Sequence, residues 1–136
     1  MAATATWKGK LAFEGTTSSG FMVPMDSSDE SGGEGQGFRP VELLLVSLAG
    51  CTGMDVISIL EKKKQDVTGF EVRVNGERSS EHPKVYTHIE VEYVVRGNAI
   101  DPVAVARAVE LSETKYCSAY GMLSKAAKIE HKITIE

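Results

Sequence analysis

Residues 41–63, VELLLVSLAGCTGMDVISILEKK, limit the possible folds more than any other part of the chain. Every residue from Val41 to about Lys63 is compatible with a helix. Pro40 suits its first turn, and Lys62, Lys63 and Lys64 suit its end, where cations favour the dipole and the last carbonyls. Apolar side chains surround this helix on nearly every side instead of forming one stripe, so it needs cover from several directions. A chain of 136 residues is the size of one ordinary domain, read here as residues 1–136. One small domain has difficulty burying such a helix alone, and a second subunit is therefore expected. The longest uncharged stretch, Leu43 to Met54, is far short of the roughly 20 residues that cross a bilayer, so no membrane partner is expected.

The segments around the helix alternate as strands do. Trp7, Leu11 and Phe13 lie opposite Lys8, Lys10 and Glu14, which predicts a first strand; Gly15 to Gly20 is turn chemistry, and Phe21, Val23 and Met25 continue as a second short strand. Residues 26–37, DSSDESGGEGQG, are acidic and glycine-rich and predict a mobile loop. After the helix, residues 70–78 alternate again, and Val85 to Val95 set Ile89, Val91, Tyr93 and Val95 against His88, Glu90 and Glu92. Two such strands make an antiparallel pair with one face half exposed to water. Asp101 and Pro102 read as an N-cap and first-turn proline of a helix reaching about Lys115. A second helical piece is expected over Cys117–Ala127, and Ile129, His131, Ile133 and Ile135 close the chain as a strand. The order ββαββααβ predicts an α+β domain with an antiparallel or mixed sheet and one central helix.

The only two cysteines, Cys51 and Cys117, stand sixty-six positions apart, each in a helical segment. Two lone thiols cannot make a four-ligand zinc site unless other ligands join them, but they can form one reversible disulfide, which points toward redox chemistry. The net charge of −4 argues against a nucleic-acid partner, because phosphate binding needs a basic face. No basic-then-apolar leader is apparent, and a cytoplasmic location is expected, where thiols stay reduced and a disulfide is transient. Cys51 needs activation to act as a nucleophile. Asp55 lies one helical turn on and on the same face; Arg39, the nearest cation, precedes the helix and can pair with Glu42 or Asp55 or favour the thiolate. Ser47 and Thr52 add hydroxyls nearby. A buried helix cysteine acting as a small hydrophobe is the plain alternative for Cys51. The three histidines read as structural or solvated, with His131 on an apolar strand face; Tyr116 and Tyr120 flank Cys117 and fit packing or a pocket wall.

RPVELLLVSLAGCTGMDVISIL followed by ELSETKYCSAYGML resembles the OsmC-like family, which includes osmotically inducible protein C and the organic hydroperoxide resistance groups. The resemblance covers essentially the whole chain, and within the family it is to the branch whose first motif reads C-T-x-x-D, here Cys51, Thr52 and Asp55. It implies an intertwined homodimer, with antiparallel or mixed sheets around the long central helices and active sites at the subunit interface. It also implies a thiol peroxidase. Cys51 would attack an organic hydroperoxide and become a sulfenic acid, Cys117 would condense with it to a disulfide, and an external dithiol, with no resident cofactor or metal, would restore the pair.

Two positions depart from the family pattern. The glutamate that directly follows the motif proline is Val41 here, with Glu42 one residue on, a rotation of about 100° on a helix. The family's loop arginine has no counterpart between Lys10 and Phe38, which leaves Arg39 as a candidate substitute cation and Asp55 as a candidate acidic partner. The alternative to an enzyme is a non-catalytic dimeric module that binds a small apolar ligand in an interface pocket lined by the thiols. A hydrolase-like use of Cys51 ranks last, because no histidine is placed as its base.

Overall fold

The computed structural model describes residues 1–136 as an α+β chain with two three-stranded sheets, in two compact units, Met1–Leu44 and Leu45–Glu136. In the first unit, β1 (Ala3–Gly9), β2 (Ala12–Thr17) and β3 (Met22–Met25) form an antiparallel meander in that order. The single alternating strand expected around Trp7–Glu14 is thus a hairpin, with Trp7 opposite Phe13, and the expected turn at Gly15–Thr17 is strand. Positive φ at Gly9 (112°) and Lys10 (49°) makes the reversal, and the Trp7 indole N–H donates to the Lys10 carbonyl at 2.7 Å, holding the turn. Alternation alone continues unbroken through such a turn, which is why the hairpin escaped the pattern.

The acidic loop is more organised than its composition predicts. Asp26 is only 4% exposed, and its carboxylate accepts backbone N–H groups of Ser27 (2.7 Å), Glu34 (3.2 Å) and Gln36 (3.2 Å). A short 3-10 turn, Asp29–Ser31, sits inside this loop. The loop is wound around a carboxylate, while most of its other residues face solvent.

In the second unit, β4 (Asp66–Arg78) and β5 (Tyr86–Asn98) pair antiparallel over nearly their whole length, longer than their alternation indicated. The last strand, β6 (Lys128–Ile135), runs parallel to β5 with Tyr93 opposite Ile133, so the sheet is mixed. Parallel neighbours need a long crossover, supplied here by α2 (Pro102–Leu111) and α3 (Ser118–Leu123). Asp101 caps α2 as expected, its carboxylate accepting from Val103 N at 2.9 Å. The helix stops at Leu111 instead of continuing to Lys115. Residues Ser112–Tyr116 form a π-helical turn, closed by Cys117 N–H donating to the Ser112 carbonyl at 2.8 Å. Short π segments are frequent at functional sites.

Helix α1 (Glu42–Lys62) lies across this sheet: a Cβ at Gly53 would sit 3.4 Å from Val72 of β4. Its inward face is one row at four-residue spacing, Leu48, Thr52, Val56 and Leu60, each fully buried. The buried core of this unit also includes Ile89, Val91, Tyr93, Val94 and Val95 of β5 and Ala104, Val105, Ala108 and Val109 of α2. The other faces of α1 remain open, with Leu44 46%, Val46 53% and Met54 73% exposed. By length and composition alone α1 is sufficient to cross a membrane, more than its uncharged stretch suggested, but one of its faces is the floor of a protein core.

Candidate active site around two thiols

Cys51 lies one residue before the buried Thr52, so it sits about 100° around α1 from the core row and is half-buried. Asp55, four residues on, shares its face. Cys117 is delivered by the crossover: it follows the π turn, caps the first turn of α3, and is 5% exposed. One ligand atom from each of Cys51, Asp55 and Cys117 lies within 4.8 Å of the others. Residues far apart in the sequence thus converge because β6 must return parallel to β5.

The surrounding groups orient each member. The Ser112 hydroxyl, at the head of the π turn and fully buried, donates to Asp55 Oδ2 at 2.9 Å. The Tyr120 backbone N–H donates to Cys117 Sγ at 3.2 Å. Burial, first of all, pushes the Cys117 thiol up to about 12; hydrogen bonding to Cys51 and the nearby charges of Cys51 and Asp55 add to the rise, against the Tyr120 N–H. Cys117 therefore holds its proton at neutral pH.

Behind Cys117 the π turn carries Glu113, whose side chain is only 10% exposed. Its carboxylate accepts from the Tyr93 hydroxyl (3.2 Å) and pairs with His131 Nδ1 (3.0 Å), while the Tyr93 ring meets His131 edge-on. Burial raises the Tyr93 hydroxyl well above its ordinary value, the Glu113 charge adding to the shift. His131 lies on the expected strand face with Ile129 and Ile133, and from there pairs with Glu113 of the turn that presents Cys117. Ser112 and Glu113 carry no sequence signal beyond their place in the residues just before the distal cysteine.

Other expected members have different partners. The Thr52 hydroxyl points back into its own helix, donating to the Leu48 carbonyl at 3.0 Å. Tyr116 is 51% exposed, while burial, with the Glu113 charge, raises the Tyr120 hydroxyl. In the N-terminal unit, Glu42 accepts the Arg39 backbone N–H at 3.0 Å and Arg39 Nη1 donates to the Gly37 carbonyl at 3.0 Å. That arrangement closes the head of α1 much as a capping box does.

Comparison with known proteins places the chain in a wider group. Residues 33–132 match the family model described as OsmC-like protein. Protein YhfA of Escherichia coli (strain K12) is 41% identical over 135 residues, covering 99% of this chain and 98% of that protein. A hypothetical protein from Aquifex aeolicus VF5 superposes with a TM-score of 0.82 at 34% identity, covering 99% of this chain and 96% of the other. The likeness extends, for the fold alone, to an organic hydroperoxide resistance protein OsmC from Legionella pneumophila, with TM-score 0.71, 14% identity, and coverage of 98% of this chain and 95% of that one. The sheets, the long helix and the span of these matches lead to one conclusion: the chain belongs to the OsmC-like family and has its fold.

Proposed function

We propose that this protein is a dithiol-dependent peroxidase that reduces organic hydroperoxides in defence against oxidative stress, acting in the cytoplasm as a homodimer. The observation that carries this reading is the convergence of Cys51, Asp55 and Cys117 within 4.8 Å. The Cys51 thiolate attacks the distal peroxide oxygen; the O–O bond breaks, the alkoxide takes a proton and leaves as alcohol, and Cys51 becomes a sulfenic acid. The Cys117 thiol then attacks that sulfur, the S–O bond breaks, water departs, and a disulfide remains. An external dithiol returns both cysteines to thiols. A resolving thiol that stays protonated does not compete as first nucleophile, which suits the raised Cys117. Asp55, oriented by Ser112, is the acceptor through which the Cys51 proton leaves. Arg39 and Glu42 support the reaction by fixing the head of α1. The name of the Legionella relative lends weight to the substrate class.

The test is to mix reduced protein with one equivalent of an organic hydroperoxide and measure intact mass and free thiols. Loss of two hydrogens and both thiols, with an intrachain Cys51–Cys117 link, is the expected result. Cys117→Ser is expected to stop at a trappable Cys51 sulfenic acid. Two intact thiols after minutes would overturn the reading. For the dimer, light scattering of Met54→Glu tests whether the exposed apolar side of α1 is the covered one. The expected result is a monomer from the variant and a dimer from the parent; a parent monomer overturns it.

A second reading, a module for small apolar ligands, is supported by an open groove of about 500 Å³ on the N-terminal sheet, lined by Ala3, Ala5, Phe21, Met22, Val23 and Met25; unlike the expected interface pocket, it is lined by neither thiol. Displacement of an apolar fluorescent probe from reduced protein distinguishes it.

A further inference from the structure

We infer that the reduced thiol centre is also a binding site for a thiophilic divalent cation, zinc above all, held by Cys51 Sγ, a carboxylate oxygen of Asp55 and Cys117 Sγ. These three donors lie within 4.8 Å of one another. Zinc binds sulfur at about 2.3 Å and carboxylate oxygen at about 2.0–2.2 Å, so donors on its tetrahedron stand roughly 3.5–3.8 Å apart. Closing the present arrangement onto an ion takes side-chain rotation of no more than about an ångström per donor. Cys51 and Asp55 supply two ligands from one helical face at i and i+4, the spacing by which a single helix presents two ligands to one metal. Cys117 adds the third from a separate element, the cap of α3.

Orientation of the donors is already in place. Ser112 donates to Asp55 at 2.9 Å, and the Tyr120 N–H donates to Cys117 Sγ at 3.2 Å. Outer hydrogen bonds of this kind direct ligands and temper thiolate charge in metal sites. The Asp55 carboxylate is held by a hydroxyl rather than by a lysine or arginine, so a cation would not have to displace an ion pair. Two thiolates and a carboxylate select zinc over calcium or magnesium, which prefer all-oxygen shells. Three protein ligands leave a fourth position for water, the pattern of an open zinc site and not a closed structural one.

On binding, each thiol loses a proton to the buffer and donates a sulfur lone pair; no atom changes oxidation state. Disulfide formation uses the same two sulfurs, so metal and disulfide exclude one another. With a hydroperoxide as oxidant, the bis-thiolate complex takes up two protons and yields disulfide, alcohol, water and free zinc. The site then responds to oxidation by releasing its ion.

The experiment is an anaerobic titration of the reduced, metal-free full chain with cobalt(II), followed by zinc(II). One cobalt per chain is expected, with thiolate-to-cobalt charge-transfer absorption and the strong visible bands of tetrahedral geometry, all removed by zinc. Cys51→Ser and Cys117→Ser should each lose most of the charge-transfer intensity, and Asp55→Asn should weaken zinc at least about tenfold while keeping both thiols. Protein oxidised by a thiol-specific oxidant should bind nothing. Cobalt absorption unaltered by either serine variant, an Asp55→Asn affinity equal to the parent's, or no spectrum from fully reduced protein would each overturn the assignment. No peroxide enters the titration, so its failure and that of the peroxidase reading are told apart.

Discussion

Two polar centres in this chain are built in opposite ways. Asp26, in the N-terminal unit, is surrounded by donors: the Ser27 N–H most of all, then those of Gln36 and Glu34, with Arg39 adding its charge, hold the carboxyl below its usual range despite burial. The thiol centre in the second unit gathers two sulfurs and a carboxylate and gives Cys117 one N–H and Asp55 one hydroxyl. A saturated anion shapes a loop and has no chemistry left to do. Undersupplied nucleophiles held close together retain the reactivity that a redox or metal site needs.

The sharpest way to separate the two centres is Cys51→Ser. It is expected to remove hydroperoxide turnover by roughly a thousandfold or more, with little change in thermal stability. A variant that turns over at the parent rate breaks the comparison on its reactive side. On the structural side, Asp26→Asn leaves backbone donors short of an acceptor, and a fall of several degrees in Tm is expected. The sign of its pH dependence follows from the lowered pKa. The unfolded carboxyl binds protons first, so Asp26 stabilises fully above the ordinary carboxylate value near pH 4. That contribution is lost as pH falls through the folded value. Acid unfolding of Asp26→Asn should therefore lack this limb, and an identical acid profile would show that the cradle contributes nothing.

Gly33→Ala attacks the same cradle without touching its charge. A Cβ there collides with the Ser27 carbonyl and comes 2.6 Å from Asp26 Oδ1, so a Tm loss comparable to Asp26→Asn is expected. Ser112→Ala removes the hydroxyl that holds Asp55 and should cost about 1–2 kcal/mol by denaturant unfolding, with slower Cys51 oxidation. The smallest effect lies at alkaline pH. The folded Cys117 thiol is raised, so its contribution is complete below the free-thiol value of about 8.5 and is lost as pH rises through its folded value of about 12. Cys117→Ser should flatten that limb, opposite in sign to the acid limb of Asp26.

The two regions also differ in how far they were legible. Helix α1 was readable because its apolar density and its terminal lysines are local signals, and Asp55 followed from four-residue spacing to Cys51. The Asp101–Pro102 start of α2 was readable for the same reason. The Asp26 loop was not: glycine and acid content describe a flexible segment equally well, and only the folded chain reveals that amides of residues 27, 34 and 36 converge on one carboxylate. Glu113 was missed because its partners, Tyr93 and His131, come from strands distant in sequence.

By itself, then, the sequence determined the long helix α1, the alternating strands of the second unit, and which side chains are thiols capable of redox chemistry. Each depends on residues within a turn or two of one another, where spacing translates directly into geometry. The tertiary structure alone decided that the β1–β2 reversal falls at Gly9–Lys10 and that a π turn ends α2. It also decided that Cys117 meets Cys51 and Asp55. That last meeting depends on β6 returning parallel to β5, a long-range pairing set by how the whole sheet buries its apolar face, which no local pattern encodes.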